Sequence, residues 1–352
     1  MSANSKIEWT QHTYNPWWGC AKVSPGCDHC YAERDAKRHA SSRILWGVDA
    51  ERREFSEKHW NEPLKWDAHA AKAGLRHRVF CASMADVFDK NAPAGARERL
   101  WGLIKATPNL DWLILTKRIG NAASMLPADW DDGYENVWLG ISIVNQEEAD
   151  RDIPNLLRTP AYLRWLSMEP LLGPVDILRY LNARGVHCQE VCPDTRYVND
   201  EEVSTYVANL ETIPLCPRCG ESASWTGYDP CIDWVVAGGE SGPMSRPMHP
   251  QWPLDIRDQC VAADKPFVFK QWGEWEAAEL GPPPGLKPAE ADRYHLVARS
   301  GHTGIVAQLV GAEWMRRVGK KASGRLLAGR LHDDYPDFHV SHLPDDRGTS
   351  GG

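Results

Sequence analysis

Val137-Trp-Leu-Gly-Ile-Ser-Ile143 carries no charge and only one polar side chain, near its end. A run apolar on both alternating sets of positions suits a strand covered on both faces, as in parallel sheets. Similar runs recur at Arg78-Val-Phe-Cys-Ala-Ser83, Trp112-Leu-Ile-Leu-Thr116, Tyr162-Leu-Arg-Trp-Leu-Ser167, Trp234-Val-Val-Ala-Gly238 and Pro266-Phe-Val-Phe-Lys270. A first strand is expected around Ile7–Tyr14. Helix-like segments lie between the runs. Residues 94–105 place Leu100, Leu103 and Ile104 on one face, and 145–153 begin with acidic residues, the favourable end of a helix dipole. A third such segment, 250–260, precedes the last run. This alternation predicts an α/β fold, a partial or full parallel (β/α) barrel.

In such a barrel, chemistry gathers at the C-terminal strand ends. Those ends hold Ser83 and Asp86, then Thr116, Lys117 and Arg118, then Ser142, Glu169, Gly238, Gly239, Glu240 and Lys270. Each taken alone has an ordinary reading as a cap, a loop hydrogen bond or an internal ion pair. Gly238-Gly239 also suits a close turn against neighbouring strands.

The alternation breaks between about 183 and 230, a stretch with eight acidic and three basic residues. The expected organisation is therefore a first barrel part over 1–182, an insertion over 183–230, a second barrel part over 231–338 and a flexible tail over 339–352. Net charge is −8 over 352 residues, so the chain as a whole is no basic nucleic-acid binder. Positive charge does collect over 311–330, where Arg316, Arg317, Lys320, Lys321, Arg325 and Arg330 face only Glu313. A solvated helix face is the leading reading of that stretch and a phosphate-facing patch the second. No run reaches the roughly 18 apolar residues of a membrane span, and the start lacks the apolar core of a secretory signal. A cytoplasmic protein with no membrane partner is expected, and there ten cysteines need a role other than disulfides.

Three of them form a C-x6-C-x2-C motif, Cys20, Cys27 and Cys30, in Trp17-Trp-Gly-Cys20-Ala-Lys-Val-Ser-Pro-Gly-Cys27-Asp-His-Cys30-Tyr31. Pro25-Gly26 turns the chain so that Cys20 can return beside the other two. Trp9, Trp17, Trp18 and Tyr31 are placed to exclude water. Three thiolates without a fourth suit an iron–sulfur cluster with one open iron, whereas structural zinc wants a closed set of four. His12 or His39 would complete such a zinc site, and a redox Cys-x-x-Cys is the third reading.

The motif and the segments after it resemble the phage-encoded three-cysteine-motif proteins, a domain family of unknown function regarded as radical-SAM-like. The resemblance is carried by Trp9-Thr10, Asn15-Pro16, Gly19-Cys20, Val23-Ser-Pro-Gly-Cys27-Asp28, Cys30-Tyr31-Ala32, Ser83-Met84-Ala85-Asp86, Leu115-Thr-Lys-Arg118, Asn136-Val-Trp-Leu-Gly140, Glu169-Pro-Leu-Leu-Gly173, Gly238-Gly-Glu-Ser-Gly242, Phe269-Lys-Gln-Trp-Gly273 and Gly324-Arg-Leu-Leu-Ala-Gly-Arg330. It implies a [4Fe-4S] cluster on Cys20, Cys27 and Cys30, whose open iron binds S-adenosylmethionine. An external one-electron donor would drive cleavage of that cofactor to a 5′-deoxyadenosyl radical. The substrate would be a small molecule or nucleotide, with a nucleic acid as a further candidate partner. Radical-SAM proteins usually show C-x3-C-x2-C with an aromatic or apolar residue before the third cysteine; here the first gap is six and His29 holds that place.

By the same resemblance, Ser83, Asp86 and Glu240 are candidates for the cofactor ammonium. Ser142 is a candidate for its ribose or carboxylate, Lys117 and Arg118 for a carboxylate or phosphate, and Glu169 for pairing with either cation. The insertion holds a second set, Cys188, Cys192, Cys216 and Cys219, as C-x3-C and C-x2-C. Its Cys216-Pro-Arg-Cys219-Gly220 knuckle is a zinc-ribbon signal, so a structural Zn2+ is expected, with an auxiliary iron–sulfur cluster as the competitor. Cys81, Cys231 and Cys260 read as core. The alternative reading of the whole chain is a zinc-stabilised nucleic-acid-binding or nucleotide-processing protein without radical chemistry.

Overall fold

The uncharged runs do form strands, and they lie side by side in chain order. The computed structural model describes residues 5, 7, 9–39, 44–181, 187–188, 223–224, 230–301 and 311–336. Its strands begin with β1 (His12–Tyr14), β2 (His77–Cys81), β3 (Leu110–Thr116), β4 (Val137–Ser142) and β5 (Leu163–Met168). A two-residue antiparallel pair follows, β6 (His187–Cys188) and β7 (Ala223–Ser224), and then β8 (Trp234–Gly238) and β9 (Phe267–Gln271). One parallel sheet has the order β1-β2-β3-β4-β5-β8-β9 and curls into a half-barrel. The first strand is shorter than expected, and Ile7 packs as a core residue ahead of it.

Alternation along each strand divides its side chains between two cores. Trp112 and Ile114, Leu139 and Ile141, Leu166 and Met168, and Phe267 and Phe269 join the larger cluster, together with helix residues. Those include Trp66 of the helix Glu62–Ala73, Leu100 and Ile104 of Ala96–Lys105, Ile153 and Leu156 of Gln146–Arg158, and Trp252 and Ile256 of Gln251–Ala262. Each such side chain is worth about 1.5–3 kcal/mol when removed from water. Asn145 caps its helix by accepting the Glu148 amide at 2.9 Å, where the acidic start was expected.

The opposite strand face forms an aromatic floor inside the half-barrel, with Trp9, Phe80, Leu113, Trp138, Trp165 and Trp234 in one cluster. Trp9 meets Phe80, Trp165 and Trp234 edge-on, with centroids 4.9, 5.4 and 5.9 Å away. The Trp165 indole donates to the Trp138 carbonyl at 3.0 Å and lies across Gly140, where any Cβ would overlap the ring. Gly140 is therefore a packing requirement of the floor.

The chain after β9 departs from the expected second barrel part. β10 (Trp275–Ala278), β11 (Tyr294–Val297) and β12 (Glu313–Arg317) form a separate antiparallel sheet in the order β10-β12-β11. The basic stretch 311–330 is consequently a strand and a short helix, Lys320–Ser323, instead of one solvated helix face. Several of its charges are engaged: Arg316 pairs with Glu276, and Arg317 donates to the Gly242 carbonyl and lies over Trp275. Cys81 and Cys260 are core residues as expected, but Cys231 is half-buried, with the Lys265 ammonium 3.2 Å from its sulfur.

Candidate active site

Along the inner face, the aromatic side chains give way to small and polar ones toward the strand C-termini. A cavity of about 570 Å³ opens there, within the size range of ligand pockets. Cys20, Cys27 and Cys30 line it together with Ser83, Asp86, Lys117, Ser142, Glu169 and Glu240. Thus residues spread over more than two hundred positions of sequence share one chamber. Gly238 and Gly239 stand outside its lining, and their role is backbone approach: a Cβ on Gly239 would overlap the Trp272 carbonyl.

The cysteine loop is built by short local bonds. Ser24 accepts the Gly26 amide at 3.0 Å and opens a single 3-10 turn, Pro25–Cys27. The Cys30 amide then reaches the Cys27 carbonyl, and the helix Tyr31–His39 begins. Gly26 has no room for a side chain, because a Cβ would stand 2.8 Å from Val144 Cγ1 beyond the end of β4. Cys20 is held separately, its amide on the Leu45 carbonyl and its own carbonyl accepting from Gly47.

Arg118 ties this loop to the sheet. Its guanidinium donates to Cys20 Sγ at 3.3 Å, to the Ala21 carbonyl at 2.7 Å and to Asp86 Oδ2 at 2.9 Å. Asp86 also accepts from the Thr116 hydroxyl and from the amides of Lys117 and Phe88. With these partners Asp86 acts to orient Arg118, a use different from the expected contact with an ammonium. Ser83 exchanges hydrogen bonds with Asn15, and its carbonyl accepts from the Tyr31 hydroxyl. Ser142 is buried, 3.5 Å from the Glu169 carbonyl. Glu169 accepts from Lys270 at 2.7 and 2.9 Å and from Gln271 at 3.0 Å, which bridges β5 to β9 across β8.

The opposite wall carries a residue that the sequence reading missed. Arg246 makes a forked pair with Glu240, at 2.6 and 2.9 Å, and also donates to the Pro25 carbonyl and to Asp28. His29 completes the clamp at 3.2 Å from Glu240. Arg246 follows an unremarkable Gly-Pro-Met-Ser stretch and works on residues more than two hundred positions away. Arg34 was missed as well, although its position four residues after Cys30 on a helix turns it back toward the cysteine loop.

Residues 4–336 match the family described as "Protein of unknown function (DUF5131)". The chain belongs to this family. The DUF5131 match takes in all three sheets and every cavity residue named above. No curated protein matches the chain, and no solved structure does.

Electrostatics of the DUF5131 cavity set its chemistry. Burial pushes the Cys20 thiol up to about 11, against the opposing pull of Arg118, and burial raises Cys30 as well. Unloaded, these groups are therefore neutral thiols at pH 7. Burial also opposes ionisation of Glu240, but the Arg246 and His29 bonds outweigh it and hold the carboxyl below its ordinary range. The three sulfurs share the cavity without converging: among the described residues, no three His, Cys, Asp or Glu side chains stand close enough to hold one metal ion. His12, one of the two candidates for completing a zinc site, is stacked on Trp66 and lies 3.1 Å from His77. Trp17 belongs to the larger core and Trp18 packs on Phe55, so of the four expected water-excluding aromatics Trp9 and Tyr31 line the cavity. Cys192, Cys216 and Cys219 of the second set, and the side chains of Cys188 and His39, lie outside the described residues.

Proposed function

We propose that this DUF5131 protein is a radical-SAM-type enzyme whose cysteine loop holds a [4Fe-4S] cluster on Cys20, Cys27 and Cys30. The observation that carries this reading is a set of three free thiols on the wall of a chamber at the C-terminal end of a curled parallel sheet. In a [4Fe-4S] cluster held by three thiolates each sulfur takes a different iron and one iron stays open. A single zinc would draw them to about 2.3 Å from one centre.

When bound, the cluster with S-adenosylmethionine supplies one-electron chemistry at the open iron. The chain's own residues perform the other tasks. Arg118 donates to the Cys20 sulfur, which favours the thiolate needed for ligation. Trp9, Phe80 and Leu115 give the chamber an apolar floor that excludes water and stray hydrogen donors. Glu169 with Lys270, and Ser142 beside them, present opposite charges and a hydroxyl to a zwitterionic cofactor. The second cysteine set is proposed to hold a structural Zn2+ in the 183–230 insertion.

The test is anaerobic purification with metal and sulfide analysis, then incubation with S-adenosylmethionine and dithionite. About four iron atoms per chain and release of 5′-deoxyadenosine, both lost in Cys27→Ala, are expected. Two zinc ions with no iron after anaerobic reconstitution would refute the reading in favour of the zinc-stabilised alternative.

A further inference from the structure

The charges lining the cavity do not balance. Its cations are Arg34, Lys117, Arg118, Lys270 and Lys320, and its carboxylates are Asp35, Asp86, Glu169 and Glu240. Asp86 is matched to Arg118, Glu169 to Lys270, and Glu240 to Arg246 from behind the wall. Asp35 stands 3.8 Å from Arg34 and 3.7 Å from Arg38, so it is shared at long range. Among the described residues Lys117 and Lys320 have no carboxylate partner, and Arg34 has only this distant one. A surplus of positive charge in the cavity of a chain with net charge −8 is not a consequence of composition.

Two of the three surplus cations share one corner. Arg34 lies against Gly242, whose positive φ and missing side chain leave room for the guanidinium. The Gly242 amide donates to Glu274 Oε1, and the Lys320 amide donates to Glu274 Oε2. Glu274 thus fixes both backbone segments while its carboxylate is engaged by amides. Lys117 lines the same chamber, with its stem against Gly26 of the cysteine loop. The proposed cofactors would not neutralise this arrangement. The net negative charge of three thiolates on an oxidised [4Fe-4S] core is offset by the net positive charge of S-adenosylmethionine, whose one carboxylate faces an ammonium and a sulfonium.

We propose that Arg34 and Lys320, together with Lys117, form an anion subsite for a phosphate group of the substrate, which makes that substrate a phosphate ester. This rests on the reading of the cavity as a substrate site and is independent of the iron chemistry. A planar guanidinium beside a mobile ammonium is a common pairing for phosphate oxygens.

The experiment uses the full chain without cluster or cofactor, so that failed iron loading and failed phosphate binding read out separately. Calorimetric titrations with inorganic pyrophosphate, a deoxynucleoside monophosphate, the matching nucleoside and a single-stranded oligonucleotide are compared at low and raised salt. The phosphate-bearing probes are expected to bind at least tenfold more tightly than the nucleoside and to weaken with salt. Lys320→Met and Arg34→Met should each weaken them about tenfold, while Lys287→Met, outside the cavity, should not. Lys320 is exposed, so its variant keeps the test open should Arg34→Met fold poorly. Binding of the monophosphate assigns a free nucleotide, and Lys320-dependent binding of the oligonucleotide alone assigns a strand. Binding of both nucleoside and monophosphate with equal affinity, no binding of any phosphate probe, or binding unchanged in Lys320→Met overturns the proposal.

Discussion

Arg118 stands 3.3 Å from Cys20 Sγ and 2.9 Å from Asp86 Oδ2, so one guanidinium couples a buried carboxylate to a thiol 98 residues before the arginine. Removing it as Arg118→Leu leaves the buried Asp86 without its counter-charge. A loss of about 3–5 kcal/mol in urea unfolding is expected. The double variant Asp86→Asn with Arg118→Leu should lose clearly less than the two single losses combined. Additive losses would show that the two groups are not coupled.

Gly140→Ala should cost about 1–3 kcal/mol by overpacking, because its Cβ meets the Trp165 ring. Adding Trp165→Phe makes room for the methyl group and should restore part of that loss. The check is the unfolding midpoint of the single and double variants. A fully stable Gly140→Ala would contradict the packing of the floor.

Acid should weaken the clamp on the cysteine loop. The folded state holds the Glu240 carboxyl below its usual range, so this group contributes stability that is fully present above the unfolded value near 4.5 and is lost as pH falls through the folded one. Glu240→Gln should therefore be less stable than the parent at pH 7, by about 1–3 kcal/mol. The difference should shrink toward pH 3, as followed by denaturant unfolding. A gap between the two proteins that is independent of pH would exclude this origin.

Of Asp86, Glu169 and Glu240, Glu169 has the most accessible side chain, 18% exposed against 6% for the other two, which makes it the better placed to meet a cofactor ammonium. Glu169→Gln is expected to weaken S-adenosylmethionine about tenfold in equilibrium dialysis of the reconstituted protein, with less than about 2 kcal/mol lost in unfolding. Unchanged affinity would shift the ammonium contact to another group.

The parts of this molecule legible in its sequence are those in which one residue type has one environment. Uncharged runs such as 137–143 read as buried parallel strands because both of their faces are covered. The polar residues ending them gathered at one rim because parallel strands all end on the same side. The antiparallel sheet of β10, β11 and β12 was not legible: its strands are half-exposed, and Trp275-Glu-Ala-Ala278 has no long apolar run. Pairings were equally hidden. Nothing near Asp86 in sequence says that its oxygens face Arg118 instead of a ligand, and Arg246 gains its role from a loop at the other end of the chain.

That last contact has a consequence for how the protein is made. The ribosome delivers Cys20, Cys27 and Cys30 more than two hundred residues before Glu240 and Arg246, which fasten the loop through His29, Pro25 and Asp28. During synthesis the thiols are therefore carried on a segment still missing its clamp, open to scavenging metals or oxidants. Their final geometry is a late event, tied to completion of the last parallel strands.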